Sequence, residues 1–240
     1  MTEHIAIVGG GTGGTVLANT LAEELGSEID AGEAEVTLFN DGPDHVYKPV
    51  WLYVAFGQRE PADGRRPLRE VVDDRVDIRQ DYVYDIHHGR HQLEFVDAAN
   101  PVSYDKLVVA TGSQLAPERV PGLAEGGHHF YGEDGAQALR DELRTVKGGQ
   151  IVLSVVGTPH MCPAAPLEFV FMLDDWLRKR GRRDAFDITY TYPIMRVHGN
   201  EHIAEWAEPR LRERDIAIET MFNAEAVDPD GETITSMEGT

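Results

Sequence analysis

Two stretches of the chain carry residues whose types and spacing could do chemistry. In Ile5-Ala6-Ile7-Val8-Gly9-Gly10-Gly11-Thr12-Gly13-Gly14, the positions of Gly9, Gly11 and Gly14 fit G-x-G-x-x-G. The first glycine lets the chain reverse, the second admits a diphosphate against bare backbone, and the third lets helix and strand pack closely. The helix that opens there offers unpaired N–H groups to an anion, so a dinucleotide is the expected occupant. The second stretch, Gly157-Thr158-Pro159-His160-Met161-Cys162-Pro163-Ala164-Ala165-Pro166, holds the single cysteine. A thiolate is a nucleophile, and the helical run expected from Leu167 would bring a partial positive charge close to Cys162. His160, two residues earlier, could hold a proton for it. A lone cysteine is as commonly a small buried hydrophobe with no chemistry.

These residues need elements to position them. Ile5–Val8 reads as a buried parallel strand, and Val16, Leu17, Leu21 and Leu25 give the following segment an apolar stripe of helical period. Glu35–Phe39 is a second strand ending in Asn40-Asp41-Gly42, where this unit places the polar side chain that meets an adenosine ribose. Asn40 holds that slot and Asp41 stands next to it, so either could serve; Asn-Asp-Gly is also an ordinary turn. The aromatic-rich segment from His45 to Phe56 contains Pro49, which excludes a central strand. It reads either as core or as the lining for a flat ligand. Arg65–Asp74 is a partly helical connector, followed by short strands near 76–79, 82–86 and 92–96. Histidines 87, 88 and 91 lie in the last hairpin with no carboxylate or thiol at ligand-like sequence spacing, so no metal site is expected. A buried strand over Tyr104–Ala110 runs into Thr111-Gly112, and Pro117 and Pro121-Gly122 mark an exit near residues 113–125.

The second half repeats the theme with a different turn. A helix over 136–147 carrying Leu139, Leu143 and Val146 is followed by a strand over 151–156 and a helix over 167–180. Between those last two, three prolines and no second or third glycine make a loop that a pyrophosphate cannot approach through bare backbone, so a second nicotinamide-type dinucleotide is disfavoured. A strand at 187–191, a helical stretch at 200–214 interrupted by Pro209, and strands near 216–219 and 233–237 complete the pattern. The expected fold class is α/β: a Rossmann-like first domain (1–118) with a parallel sheet and a small antiparallel β insertion, then a second Rossmann-like domain (119–240).

Composition narrows the function classes. At 240 residues the chain can form two ordinary domains. Its net charge is −20, and only Lys48, Lys106, Lys147 and Lys179 among its 22 basic residues are lysines. Such a surface repels nucleic acid and anionic lipid, and it resembles the proteins of salt-accumulating halophiles. With neither a signal-like opening nor a bilayer-length apolar run, the expectation is a soluble, cytoplasmic chain. One cysteine excludes an internal disulfide and a Cys-rich zinc site.

The glycine turn, His45-Val46-Tyr47-Lys48-Pro49 through Gly57, Tyr104-Asp105-Lys106-Leu107-Val108-Val109-Ala110-Thr111-Gly112-Ser113, and Cys162-Pro163-Ala164-Ala165-Pro166-Leu167-Glu168-Phe169 through Asp184 together carry a family resemblance. They resemble the sulfide:quinone oxidoreductase branch of the pyridine nucleotide-disulfide oxidoreductases, over essentially the whole chain. The cysteine–proline segment is the more specific part. The resemblance implies FAD as cofactor, with Gly9, Gly11, Thr12, Gly13 and Gly14 at the pyrophosphate and Asn40 or Asp41 at the ribose. It puts Val83 at the adenine through its backbone, and Lys48-Pro49 with Ala110, Thr111 and Gly112 toward the isoalloxazine. It implies an enzyme that oxidises sulfide at Cys162 and the flavin and passes electrons to a quinone. The alternatives are an NADH:quinone oxidoreductase of the same fold and a truncated, non-catalytic flavin-binding protein. Family members run on for roughly another half domain, with a Gly-Asp motif, a second redox cysteine and amphipathic helices that touch the membrane. The expectation is therefore a fragment or a shortened paralogue, with peripheral contact at the inner face of the cell membrane residing in the region absent here. A homo-oligomer is compatible with this.

Overall fold

In the first sheet, β1 (Glu3–Val8) is apolar at successive positions because both of its faces are covered. Ile5 and Ile7 pack on one side with Ala18, Ala22, Val36 and Leu38, while Ala6 and Val8 pack on the other with Phe39, Leu93 and Phe95. The computed structural model describes residues 2–96, 100–230 and 232–238, and its chain forms two compact units.

The first unit comprises residues 1–50 and 61–114. After β1 come α1 (Thr12–Glu24), α2 (Gly26–Asp30), β2 (Ala34–Asn40) and β3 (Asp44–Val46); α3 (Val50–Ala55) comes next in the chain, but all of it after Val50 belongs to the second unit. Then follow β4 (Arg65–Pro67), α4 (Leu68–Val71), β5 (Asp77–Gln80), β6 (Val83–His87), β7 (Gln92–Phe95), β8 (Val102–Ser103) and β9 (Lys106–Val109). The sheet order β5-β2-β1-β9 is parallel throughout, with Ile7 opposite Leu38 on one side and Val108 on the other. The strands β6-β7-β8 form the antiparallel insertion. Helix α1 departs from the expected stripe. Its buried residues are Gly14, Thr15, Ala18 and Ala22, with Leu17, Leu21 and Leu25 packed beside them, and Val16 is 60% exposed. Small side chains let the helix lie close on the sheet, which a face led by Val16 would prevent.

The second unit comprises residues 51–60 and 115–240. Its elements are α5 (Leu123–Gly126), α6 (Glu133–Thr145), β10 (Gly149–Ser154), α7 (Ala165–Lys179) and β11 (Phe186–Tyr192), then α8 (Glu201–Glu213), β12 (Ile216–Thr220), β13 (Ala224–Asp228) and β14 (Thr233–Ser236). The strands β10-β11-β12 are parallel, and β13-β14 is an antiparallel hairpin. Helix α7 begins at Ala165 with Pro166 in its first turn, where the missing N–H costs nothing, so the proline loop is shorter than the sequence suggests. Pro209 does not interrupt α8 either. The Asn200 side chain caps that helix from Ile203 N–H, and burial of Ala204, Ala207 and Leu211 outweighs the one bond Pro209 cannot donate.

Residues 51–60 depart from a division of the chain into two consecutive halves. The ring of Phe56 lies 5.0 Å from Phe169 and 6.3 Å from Trp176, and its carbonyl accepts the Trp176 indole N–H at 3.2 Å. Of the aromatic segment, Trp51, Leu52, Val54 and Phe56 are buried and belong to the second unit, whereas Tyr47 and Tyr53 are exposed and residues 45–50 belong to the first.

A polar lock holds the same unit. Asp174 on α7 is fully buried and accepts from Arg183 Nε at 2.7 Å, Arg214 Nη1 at 2.7 Å and Arg178 Nε at 2.9 Å. Arg183, itself buried, donates onward to the carbonyls of Phe186, Arg214 and Asp215. The start of β11 and the end of α8 are thereby tied to one carboxylate.

Candidate functional site

The first crossover joins β1 to α1 at the carboxyl ends of parallel strands, where folds of this topology bind ligands. Gly9 has φ +109°, and a Cβ there would stand 2.5 Å from the Ala110 carbonyl oxygen. A Cβ on Gly14 would fall 1.9 Å from the Gly9 carbonyl oxygen, so neither position admits a side chain. Gly11 and Gly13, in contrast, have no atom within 4 Å of where a Cβ would be. The same turn is closed on its inner side and open on its outer side. Gly11 is the N-cap of α1 and has no side chain to supply, and the first helical bond is Thr15 N–H to Gly11 O at 3.0 Å. The N–H groups of Thr12, Gly13 and Gly14 therefore have no intrahelical acceptor. That cradle fits a diphosphate.

The turn is fixed by side chains, two of which the sequence did not single out. Asn40 Oδ1 accepts the Gly10 N–H at 2.7 Å, and Asn40 Nδ2 donates to Gly42 O at 2.7 Å. Asn40 thus uses a donor and an acceptor on the turn itself, and the neighbouring Asp41 is exposed. Thr15 donates to Gly10 O at 3.1 Å, and His45 Nδ1 lies 3.2 Å from Thr15 Oγ1 and 3.1 Å from Gly10 O. A buried threonine in the first turn of α1 was the available signal; His45 arrives from β3 and could not be paired with it by spacing. Ala110 N–H donates to Val8 O at 2.8 Å, which sets Ala110, Thr111 and Gly112 beside the glycine turn. Lys48 Nζ lies 4.0 Å from where a Gly112 Cβ would be, so the Lys48-Pro49 and Thr111-Gly112 pairs do come together. Val83 opens β6, half-buried, at a register shift opposite Phe95.

The hairpin histidines are less isolated than their sequence spacing implies. Pairing of β6 with β7 sets Asp85 opposite Glu94, and ligand-type atoms of Asp85, His87 and Glu94 lie within 4.8 Å of one another. Glu94 is engaged by His87, by the Tyr84 hydroxyl and, at 3.8 Å, by Arg90. A cross-strand partner is invisible to spacing along the chain.

The second crossover leaves β10 through the cis Thr158–Pro159 peptide and reaches Cys162, which is exposed and has φ +50°. Exposure overturns the buried-hydrophobe alternative. Left-handed backbone at a residue other than Gly, Asn or Asp is uncommon and costs about 1 kcal/mol or more. The strained residue is the chain's one thiol, with its carbonyl accepting the Ala165 N–H at 3.0 Å as α7 starts. His160 is half-buried, its Nε2 3.3 Å from the Tyr192 hydroxyl and its ring edge-on to that phenol at 6.0 Å. Burial, helped by the nearby His198, holds His160 below the ordinary histidine range. Burial and then the proximity of Cys162 and Tyr192 push Tyr131 up to about 12. A cavity of about 560 Å³ opens at the carboxyl end of β10, with Leu115, Val120, Phe130, Leu153, His160 and Met161 among its walls. Its size suits an organic ligand. Tyr131, Tyr192 and His198 escaped the sequence reading because they join this region only through the strand order.

The two depressed histidines predict a pH dependence. Burial lowers His129 as it does His160, the charge of His128 adding to it and Asp134 opposing it. The unfolded chain then binds protons the folded chain refuses, so their contribution is complete above the usual value of 6.5 and is lost as acid is added below it. Urea midpoints taken between about pH 7.5 and 5.5 are expected to fall, and less steeply in the His129→Gln/His160→Gln double variant. Equal slopes would refute the assignment.

Comparison with known proteins adds to this geometry. The sequence model of the family described as Pyridine nucleotide-disulphide oxidoreductase matches residues 3–158. The mitochondrial sulfide:quinone oxidoreductase of Mus musculus is 26% identical over 232 residues, covering 95% of this chain and 50% of that protein. The type II NADH:quinone oxidoreductase of Haemophilus influenzae is 28% identical over 149 residues, covering 58% of this chain and 32% of that one. The solved structure of the sulfide:quinone oxidoreductase from Aquifex aeolicus superposes with a TM-score of 0.84 at 22% identity, over 99% of this chain and 55% of that one. At that identity the superposition shows the fold. The chain spans about half the length of the curated sulfide:quinone relatives it matches.

Proposed function

Given that the chain belongs to the pyridine nucleotide-disulphide oxidoreductase family, we propose that it performs the flavin-dependent oxidation of sulfide, with a quinone as final acceptor. The family's cofactor is FAD, and the cradle at Gly9, Gly11, Thr12, Gly13 and Gly14 fits its diphosphate, with Asp41 free to meet the ribose and Lys48 and Gly112 flanking the way to the ring. When bound, FAD supplies the two-electron acceptor between sulfide and quinone.

The observation that carries the reading is Cys162, exposed in left-handed backbone on a glycine-poor turn where an NADH-using relative would need bare backbone. Its thiol receives the sulfur: an S–S bond forms between sulfide and Cys162, two electrons leave to the acceptor, and the protons shed go to base. His160, held neutral by burial, is the candidate base. The mouse and Aquifex names support sulfide as the donor.

The test is anaerobic. Protein reconstituted with FAD is mixed with sulfide in one cell and NADH in another, and flavin absorbance is followed. Bleaching by sulfide alone is expected. Bleaching by NADH alone would favour the NADH:quinone reading, and bound flavin indifferent to both would favour a non-catalytic flavin carrier.

A further inference from the structure

Four guanidinium groups ring one small cavity in a chain whose net charge is −20. The cavity holds about 190 Å³ and lies among Gly57, Arg140, Arg144, Trp176, Arg180 and Arg182, all in the second unit. Arg140 and Arg144 are one turn apart on α6, a spacing at which like charges oppose the helix. The guanidinium carbon of Arg180 lies 3.9 Å from the centroid of the Trp176 ring, its Nη1 also donates to the Trp176 carbonyl at 3.4 Å, and Trp176 is itself pinned to the Phe56 carbonyl. Arg182 is partly committed, since it donates to the carbonyls of Leu143 and Val146 at the end of α6. At Gly57 a Cβ would stand 3.2 Å from Arg144 Nη2, so the missing side chain leaves room for that guanidinium.

The counter-charge is incomplete. Glu60 is 3.2 Å from Arg140, and Asp141 lies 3.9 Å from Arg140 and 3.8 Å from Arg144, both carboxylates pointing largely into solvent. Among the described residues two carboxylates face four guanidiniums, and Arg140 Nε is buried without a hydrogen-bond acceptor. Arginine forks match oxyanions in bidentate fashion, and stacking on an indole holds such a fork still. The volume falls below the about 300–1,000 Å³ of organic-ligand pockets.

We propose that this cavity binds a free tetrahedral oxyanion of the phosphate or sulfate class. The site is separate from the sulfur chemistry, because the length of α7, about 22 Å, separates Arg180 from the turn that carries Cys162. It stands whether or not sulfide is the substrate.

Calorimetric titration of the full chain reconstituted with FAD, so that the glycine cradle is already filled, with inorganic phosphate and with sulfate at ionic strength matched by chloride, tests it. One saturable site for either oxyanion is expected, with no saturable heat from acetate or chloride. Arg144→Gln and Arg180→Gln, both at exposed positions, are each expected to weaken binding roughly tenfold or more while leaving the circular dichroism unchanged. Should a variant misfold, the wild-type titration decides alone. Absence of a saturable oxyanion heat, an equal response to chloride, or variants that keep wild-type affinity would each overturn the proposal.

Discussion

Cys162→Ser is expected to slow the reduction of bound flavin by sulfide at least about 100-fold while leaving FAD binding and unfolding midpoint unchanged. The substitution changes one atom. Serine keeps the Cβ, so the cost of φ +50° is the same in both proteins, and the position is exposed, so no packing is lost. What disappears is a sulfur able to form an S–S bond. A second readout does not depend on turnover: after sulfide oxidation the wild-type chain gains the mass of one sulfur atom on its only thiol, and the serine variant gains none. Equal bleaching rates in the two proteins would remove Cys162 from the chemistry and return the reaction to the cofactor alone.

The largest expected effect on stability is at Asp174. Asp174→Ala is expected to cost about 3–5 kcal/mol in urea unfolding, because it strands Arg183 in the interior with no anion beside it. Burial by itself would raise the Asp174 carboxyl, but hydrogen bonds from Arg178, Arg214 and Arg183 more than offset this and hold it below the ordinary carboxylate range. The control is Arg178→Ala, whose side chain is 48% exposed and whose loss is expected to cost less than about 1 kcal/mol. A loss at Asp174 no greater than that control would mean that Arg183 finds water, and that the lock is ornamental.

How much of this was legible depends on whether the determinant is local. The glycine turn was readable because an apolar run, three spaced glycines and a helical period all fall within 25 residues, and each constrains its neighbours directly. The parallel strands at β2, β9, β10 and β11 were readable for the same reason. Val16 was misplaced because periodicity counts large apolar residues, whereas a helix lying close on a sheet selects small ones such as Ala18 and Ala22. Pro209 was overvalued because its local cost is visible in sequence while the packing of Leu211 is not.

At the candidate sites the missing information was long-range. Asn40 was found by its slot, but its bond to Gly10 N–H could only be known once β1 and β2 were in register. His45 and Thr15, or Asp85 and Glu94, meet through tertiary pairing that leaves no periodic trace. The backbone angle of Cys162 is not encoded in its identity. Tyr131, Tyr192 and His198 are scattered over more than sixty residues and gather only at the end of the second sheet.

The assignment of residues 51–60 to the second unit has a consequence for how the polypeptide is made. A ribosome releases Trp51, Leu52, Val54 and Phe56 well before the rest of the second unit exists, including the Phe169 and Trp176 that pack on Phe56, although all four are more than nine-tenths hidden in the finished protein. The amino-terminal unit can close around this segment, but it leaves a greasy loop outside until the rest of the chain arrives. During that interval the nascent protein is sticky, and it is then that chaperones would have most to hold.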